Sequence, residues 1–176
     1  IGDEPEAQYA QKFIGLSYLE KGDTQQGLAI LEQLVQWFER KNFKWLMMRT
    51  LQSMSGAQYS IHQYSKGIDY GRQALALAES LDDKVGIFNT LSLLTEEFRY
   101  IANYYESLSC GAHSLALMES SFLNQTQISR HFNIIASVFI SCGLPAAAID
   151  CEKEALRHAL TIGHRQMISL AYAQLG

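Results

Sequence analysis

The fold class this sequence predicts is an all-α solenoid, with antiparallel helix pairs stacked into a right-handed superhelix. Three observations carry that expectation. The segment LALAES at 75–80 returns as LALMES at 115–120, a spacing of forty residues. Within each period the apolar residues recur three or four apart, and no run alternates as a strand does. Only two prolines occur in 176 residues, which leaves long helices uninterrupted. A fixed period of about 20 to 50 residues marks stacked supersecondary units, each too small to bury its own apolar face.

The first copy sets the pattern. Asp3 is placed to cap a helix whose first turn carries Pro5 and Glu6, and Phe13, Ile14, Tyr18 and Leu19 form its apolar run until Gly22 and Asp23 end it. Thr24 then opens a second helix bearing Leu28, Leu31, Leu34 and Val35. Later breaks inside a pair fall at His62 and Gln63, at Ala102 and Asn103, and at Gly143 to Pro145, where proline again suits a first turn. Pairs are separated at Lys41 and Asn42, Asp82 and Asp83, Asn124 to Thr126, and Gly163 and His164. Nine helices and no strand are expected, in one repeat domain over 1–176. Its repeats are at about 5–43, 44–83, 84–124 and 125–163, and 164–176 is the first helix of a fifth. Because the chain begins at Ile1 and stops on an unfinished motif, it is expected to be a piece of a longer protein.

Small residues recur where helices must cross. Gly27, Gly67, Ser107 and Ala148 are equivalent, as are Leu34, Ala74, Ser114 and Ala155, at spacings of forty and then forty-one. A large apolar residue followed by a small one recurs upstream, as Ile14 and Gly15, Met54 and Ser55, Leu94 and Thr95, and Ile135 and Ala136. Helix axes pack about 8 to 10 Å apart, and the nearer value needs a small residue at the crossing. Gly71 and Gly111 lie inside predicted helices at a cost of about 1 kcal/mol each against alanine. Their shared register predicts close approach of neighbouring helices there as well.

These residues resemble the tetratricopeptide repeat, whose first helix reads roughly W-x-x-L-G-x-x-Y. LAYAQLG at the end of the chain carries Tyr172, Leu175 and Gly176 in the aromatic, leucine and glycine places. Phe132, Ile135, Ala136 and Phe139 fit in the fourth copy, and Ile14, Gly15 and Tyr18 in the first. Gln11, Leu51 and Leu91 replace the leading aromatic, Gln58 stands at another aromatic place, and Glu39, Glu79 and Glu119 occupy the place of the closing proline. The period is about six residues longer than the family's thirty-four. It is similar to the variant in kinesin light chain, cell-polarity adaptors, peptide-pheromone receptors and sensor domains of bacterial signalling ATPases. The resemblance implies a superhelix whose concave groove holds a peptide or partner protein.

Composition narrows the function classes. A net charge of −4 and the lack of a basic run argue against nucleic acid. No apolar stretch approaches the roughly 20 residues that span a bilayer, and no signal peptide is present, so a cytoplasmic protein without membrane attachment is expected. Cys110, Cys142 and Cys151 have no metal-type spacing and are expected to be free thiols. His62, His113, His131, His158 and His164 make no zinc motif, so neither metal nor cofactor is expected. Glu96 and Glu97 are adjacent, about 100° apart on a helix, and do not face each other as an acid and base would. No enzyme is expected. Trp37, Phe38, Phe43 and Trp45 are read as core between the first two repeats.

The functional expectation rests on the first helix of each pair, which lines the groove in the family resembled. Residues off its packed stripe are Tyr9, Lys12, Leu16 and Leu19, then Arg49, Gln52, Gly56 and Tyr59, then Asn89, Ser92, Glu96 and Arg99, and finally Arg130, Asn133, Ser137 and Ile140. Arg, Asn and Gln side chains suit an extended backbone or a carboxylate. Arg49, Arg99 and Arg130 predict a positive stripe that attracts an acidic or carboxylate-bearing segment. The terminal-carboxylate clamp of chaperone-type members is not expected, because Leu16 follows Lys12 where that pattern has asparagine. A protein or peptide interaction module is the leading expectation. A ligand-sensing regulatory domain of a bacterial signalling protein and a self-association element are the alternatives.

Overall fold

The computed structural model describes residues 5–118 and 123–175, without the side chains of Leu170, Gln174 and Leu175. The expected Asp3 cap, Glu119 and Gly176 lie outside the described residues, as does the Leu175 side chain. Among the described residues the chain forms nine α-helices and no strand: α1 (Pro5–Glu20), α2 (Thr24–Arg40), α3 (Lys44–Ser60), α4 (Tyr64–Ser80), α5 (Lys84–Tyr100), α6 (Tyr104–Leu117), α7 (Gln125–Ser141), α8 (Pro145–Thr161) and α9 (Arg165–Leu175). The expected breaks fall between helices, except that Gln125 and Thr126 already belong to the first turn of α7 and Pro145 to that of α8. The chain divides into two compact units, residues 1–93 and 94–176, with the boundary inside α5.

The helices end alike. Seven turns hold a residue at positive φ: Gly22, Asn42, His62, Asp82, Ala102, Gly143 and Gly163. At Gly22 the N–H donates to the Leu19 carbonyl (3.0 Å) and that of Asp23 to Tyr18 (2.9 Å), the paired bonds of a Schellman motif. The same pair recurs at Ala102, with Ala102 to Arg99 (3.0 Å) and Asn103 to Phe98 (2.9 Å). The next residue then starts the following helix. Asp23 accepts from the Gln26 N–H (3.2 Å) and Asn103 from Glu106 (3.4 Å). Asn124 and Gln127 form a reciprocal capping box at α7.

In the first unit α1 crosses α2 through glycine. A Cβ on Gly27 would lie 2.7 Å from the Gly15 carbonyl oxygen and 2.6 Å from Leu19 Cγ. Leu19, Leu31, Leu34, Phe38, Met48, Leu51, Met54, Ala74 and Ala78 form one core, with Trp37 and Phe43 packed on it and stacked at 5.7 Å. Trp45 departs from expectation: it is 50% exposed. Phe13 and Ile14 are also exposed, on a face of α1 shared with Ser17, Tyr18 and Lys21. Their equivalents at Met54, Leu94 and Ile135 are buried.

The second unit buries Phe98, Ile134, Ile135, Ala136, Val138, Ala148, Ala155 and Ala159. It buries polar groups as well. Ser107 donates to the Thr95 carbonyl (2.7 Å), Ser129 to Ala155 (2.7 Å) and Ser114 to Gly111 (2.8 Å). Gly111 does not mark a forced approach. An added Cβ would sit 3.6 Å from Ile135, in ordinary contact, because Gly111 borders an apolar recess of about 200 Å3 with Ser107, Ala112, Leu115, Ile135 and Val138.

Candidate partner-binding surface

The first helices of successive pairs run side by side in the first unit, and ring and side-chain contacts fix their register. Tyr9 of α1 lies 6.5 Å from Trp45 of α3 at one end. At the other end Leu16, Leu19 and Glu20 share a recess with Ser53, Gly56, Ala57, Ser60 and Ile61. Tyr9 and Trp45 are 36 residues apart and the recess brings the later parts of both helices together, so α1 and α3 are parallel and Lys12 falls near the level of Arg49.

The upper end of this trough is cationic and aromatic. Lys12 Nζ donates to the Tyr9 hydroxyl (2.7 Å) and lies 4.4 Å from the Tyr9 ring centre and 5.0 Å from that of Phe13. Arg49 is 5.9 Å from the Trp45 ring centre and donates to Gln52 Oε1 (2.9 Å). Neither cation makes an ion pair among the described residues. The lower end is apolar and open, with a volume of about 290 Å3. Gly56 leaves it so, since nothing lies within 4 Å of where its Cβ would be.

Three expected ledge residues are not free surface. Lys12 is 6% exposed and Gln52 7%, and Leu19 belongs to the core. Gln52 Nε2 donates to Thr90 Oγ1 (2.7 Å) and the Gly86 carbonyl (3.1 Å) on α5, so its amide is spent between helices. Its role is to hold Arg49, which stays half-buried with part of its guanidinium available. Helical periodicity placed these residues on the surface because it weighs each first helix only against its own partner. The next first helix covers part of the remaining face.

The other ledge residues keep at least partial exposure. Tyr59 and Asn89 are half-buried in the first unit, with Tyr59 edge-on to Tyr64 at 5.9 Å. In the second unit Glu96 and Asn133 are half-buried and Arg130 is exposed. Arg99 lies over the Tyr100 ring at 4.2 Å, with its Nε buried. Sequence reading missed Trp45, Ser53 and Ala57 as lining residues. The signal for them was the α3 series 45, 49, 53 and 57, spaced four apart on one helical face.

Titratable chemistry concentrates in α7 and α8. Burial pushes the His131 imidazole down to about 4, where Nε2 meets Ser114 Oγ at 2.5 Å. Burial raises Glu152 to about 7. His158 is lowered, by burial first and then by Arg157; its Nδ1 bonds Gln125, and its ring stacks on Phe132 at 5.9 Å. Cys110, Cys142 and Cys151 are free and half-buried. Burial, followed by the charges of Glu152, Asp150 and Glu154, pushes the Cys151 thiol up, away from the low value of a reactive thiolate.

No helix among the described residues is long and apolar enough to cross a membrane. No family model matches the chain, and no curated protein matches it. The crystal structure of BtubC (BKLC) from P. vanneervenii is similar over 92% of this chain, with a TM-score of 0.78 and 12% identity. The matched region spans 66% of that protein, and at this identity the likeness shows the fold: an all-α helical repeat.

Proposed function

We propose that the chain is a tetratricopeptide-type repeat module that binds a partner protein or peptide along the inner faces of its first helices. The α1–α3 trough carries this reading. It brings Lys12 and Arg49 to one end, neither of them ion-paired among the described residues, flanks them with a half-exposed indole, and continues into an open apolar recess. Among the described residues Lys12 is buried against the Tyr9 hydroxyl and the Tyr9 and Phe13 rings, with no carboxylate to compensate for removing its charge from water. An acidic segment in the trough offsets that cost. Arg99 and Arg130 extend the same preference to the ledge of the second unit.

Selection from a random peptide library, followed by calorimetry, tests the reading. Selected peptides are expected to bind more weakly as salt screens charge over a Debye length of about 8 Å at physiological ionic strength. Arg49→Ala should cost them about 1 to 3 kcal/mol, the range for hydrogen bonds to a charged group, with stability almost unchanged. Failure to select any binder, or full affinity in Arg49→Ala at low salt, overturns it.

A further inference from the structure

From the same trough we infer that the preferred partner segment is bipartite: an acidic side chain and an aliphatic side chain about three to four residues apart in an extended stretch. The inference rests on the peptide-binding reading and adds a ligand chemistry and a spacing to it. Lys12 and Arg49 form the acid-receiving end, since the helix register brings them near one level and neither has a carboxylate partner among the described residues. The other end is lined by Leu16, Leu19, Ala57 and Ile61, with Ser53 on its wall and Gly56 opening it.

Arg49 and Gly56 lie on one stripe of α3, seven residues apart, so the two ends are separated by about 11 Å at 1.5 Å per residue. An extended peptide advances about 3.3 Å per residue and covers that span in about three residues, or four if it bends. A recess of about 290 Å3 is large enough for a branched aliphatic side chain. Glu20 at the rim of the recess repels a second acid there and sets the polarity of the site.

Gly56 supplies the decisive variant. Space is open at its Cβ, so Gly56→Leu projects a side chain into the recess and improves the helix. The probes are acetylated, amidated serine–glycine peptides carrying one glutamate and one leucine, titrated by nuclear magnetic resonance at low salt. Peptides with these residues three or four positions apart should bind about tenfold more tightly than those with adjacent residues or with glutamine for glutamate. Gly56→Leu should lose about that factor with an unchanged circular dichroism spectrum, and Arg49→Gln should lose both affinity and salt dependence.

Equal binding at all spacings, or unaltered affinity in Gly56→Leu, overturns the inference. So does a concentration-dependent dimer that Gly56→Leu disperses, since the occupant is then a second copy of the chain. Library-selected peptides that depend on Arg49 yet share no acid-to-aliphatic spacing overturn it and leave the peptide-binding reading standing.

Discussion

The same repeat position is Leu31 in the first copy, Gly111 in the third and Glu152 in the fourth, and all three are buried. Another is Thr50, Thr90 and then His131. In the first unit these positions are apolar or self-contained: Leu31 fills the core, while Thr50 and Thr90 return their hydroxyl bonds to their own helix at Leu46 and Gly86. In the fourth copy, within the second unit, an ionisable group stands at each, and His131 must reach across to α6 for a partner. One helix-pair scaffold thus accepts two kinds of interior. At these positions the first unit has nothing to titrate near neutral pH, whereas His131 and Glu152 tie the stability of the second to protonation.

The largest expected effect tests whether both interiors share one packing logic. Ala74→Glu and Ala155→Glu each put a carboxylate where exposure is 0%, and each should destabilise its unit by about 3 kcal/mol or more. Trp37 and Trp45 both lie in the first unit, so their fluorescence reports Ala74→Glu. Hydrogen exchange of α7 amides reports the second. Unchanged midpoints for both variants would contradict the repeat register.

Protonation separates the units next. His131 is neutral when folded down to about pH 4, whereas the unfolded imidazole charges below about 6.5, so this group withdraws stability as pH falls through that window. Glu152 holds its proton up to about 7 when folded but loses it near 4.5 when unfolded, so it withdraws stability as pH rises. Each slope reaches at most about 1.4 kcal/mol per pH unit, and between 4.5 and 6.5 the two oppose. Exchange from α7 is therefore expected to vary little with pH there once intrinsic rates are removed. His131→Thr, which restores the residue of the earlier copies, should make the unit lose stability as pH rises. Glu152→Gln should do the reverse. Parallel behaviour of the two variants would show that the groups do not titrate as their burial requires.

Glycine gives a smaller contrast of opposite sign. Gly27→Ala drives a methyl against the Gly15 carbonyl and should cost about 1 to 3 kcal/mol, whereas Gly111→Ala meets only ordinary contacts and should gain about 0.5 to 1. The smallest effects belong to the turns. His62→Gly and Ala102→Gly each relieve a positive φ and should stabilise their units by about 0.5 to 1 kcal/mol, measurable as a shift in denaturation midpoint.

The fold was legible because every break coincides with residues that end or start helices by their own chemistry, such as Gly22 with Asp23 and Gly143 with Pro145. Ala102 shows the limit: nothing in an alanine announces a left-handed backbone, and the twenty-residue alternation of turns supplies the reason instead. The binding ledge was legible in outline. Leu16, Gly56 and Arg49 all line the trough, but Gln52 is buried against Gly86 and Thr90, 34 and 38 residues on, which a single helix's periodicity does not contain, while Lys12 folds back onto Tyr9 and Phe13 of its own helix. Trp45 misled for the opposite reason, since clustering in sequence with Trp37 and Phe43 placed it in a core that it only borders. Gln58, at an aromatic place of the motif, is fully buried with no hydrogen-bond partner for its amide among the described residues, and the structure offers no account of that choice.

The turns have a genetic consequence. Positive-φ residues at 22, 42, 62, 82 and 102, and again at 143 and 163, set joints twenty residues apart within each run, and α7 starts twenty-one residues after α6. A deletion or duplication of one residue inside a helix rotates everything beyond it by about 100° and carries Arg49 or Gly56 off the shared face. A duplication of the segment 44–83 begins and ends at equivalent joints and preserves every downstream orientation. Such a chain therefore changes length in whole helix pairs, and each added pair brings another first-helix face on which a longer partner can be read.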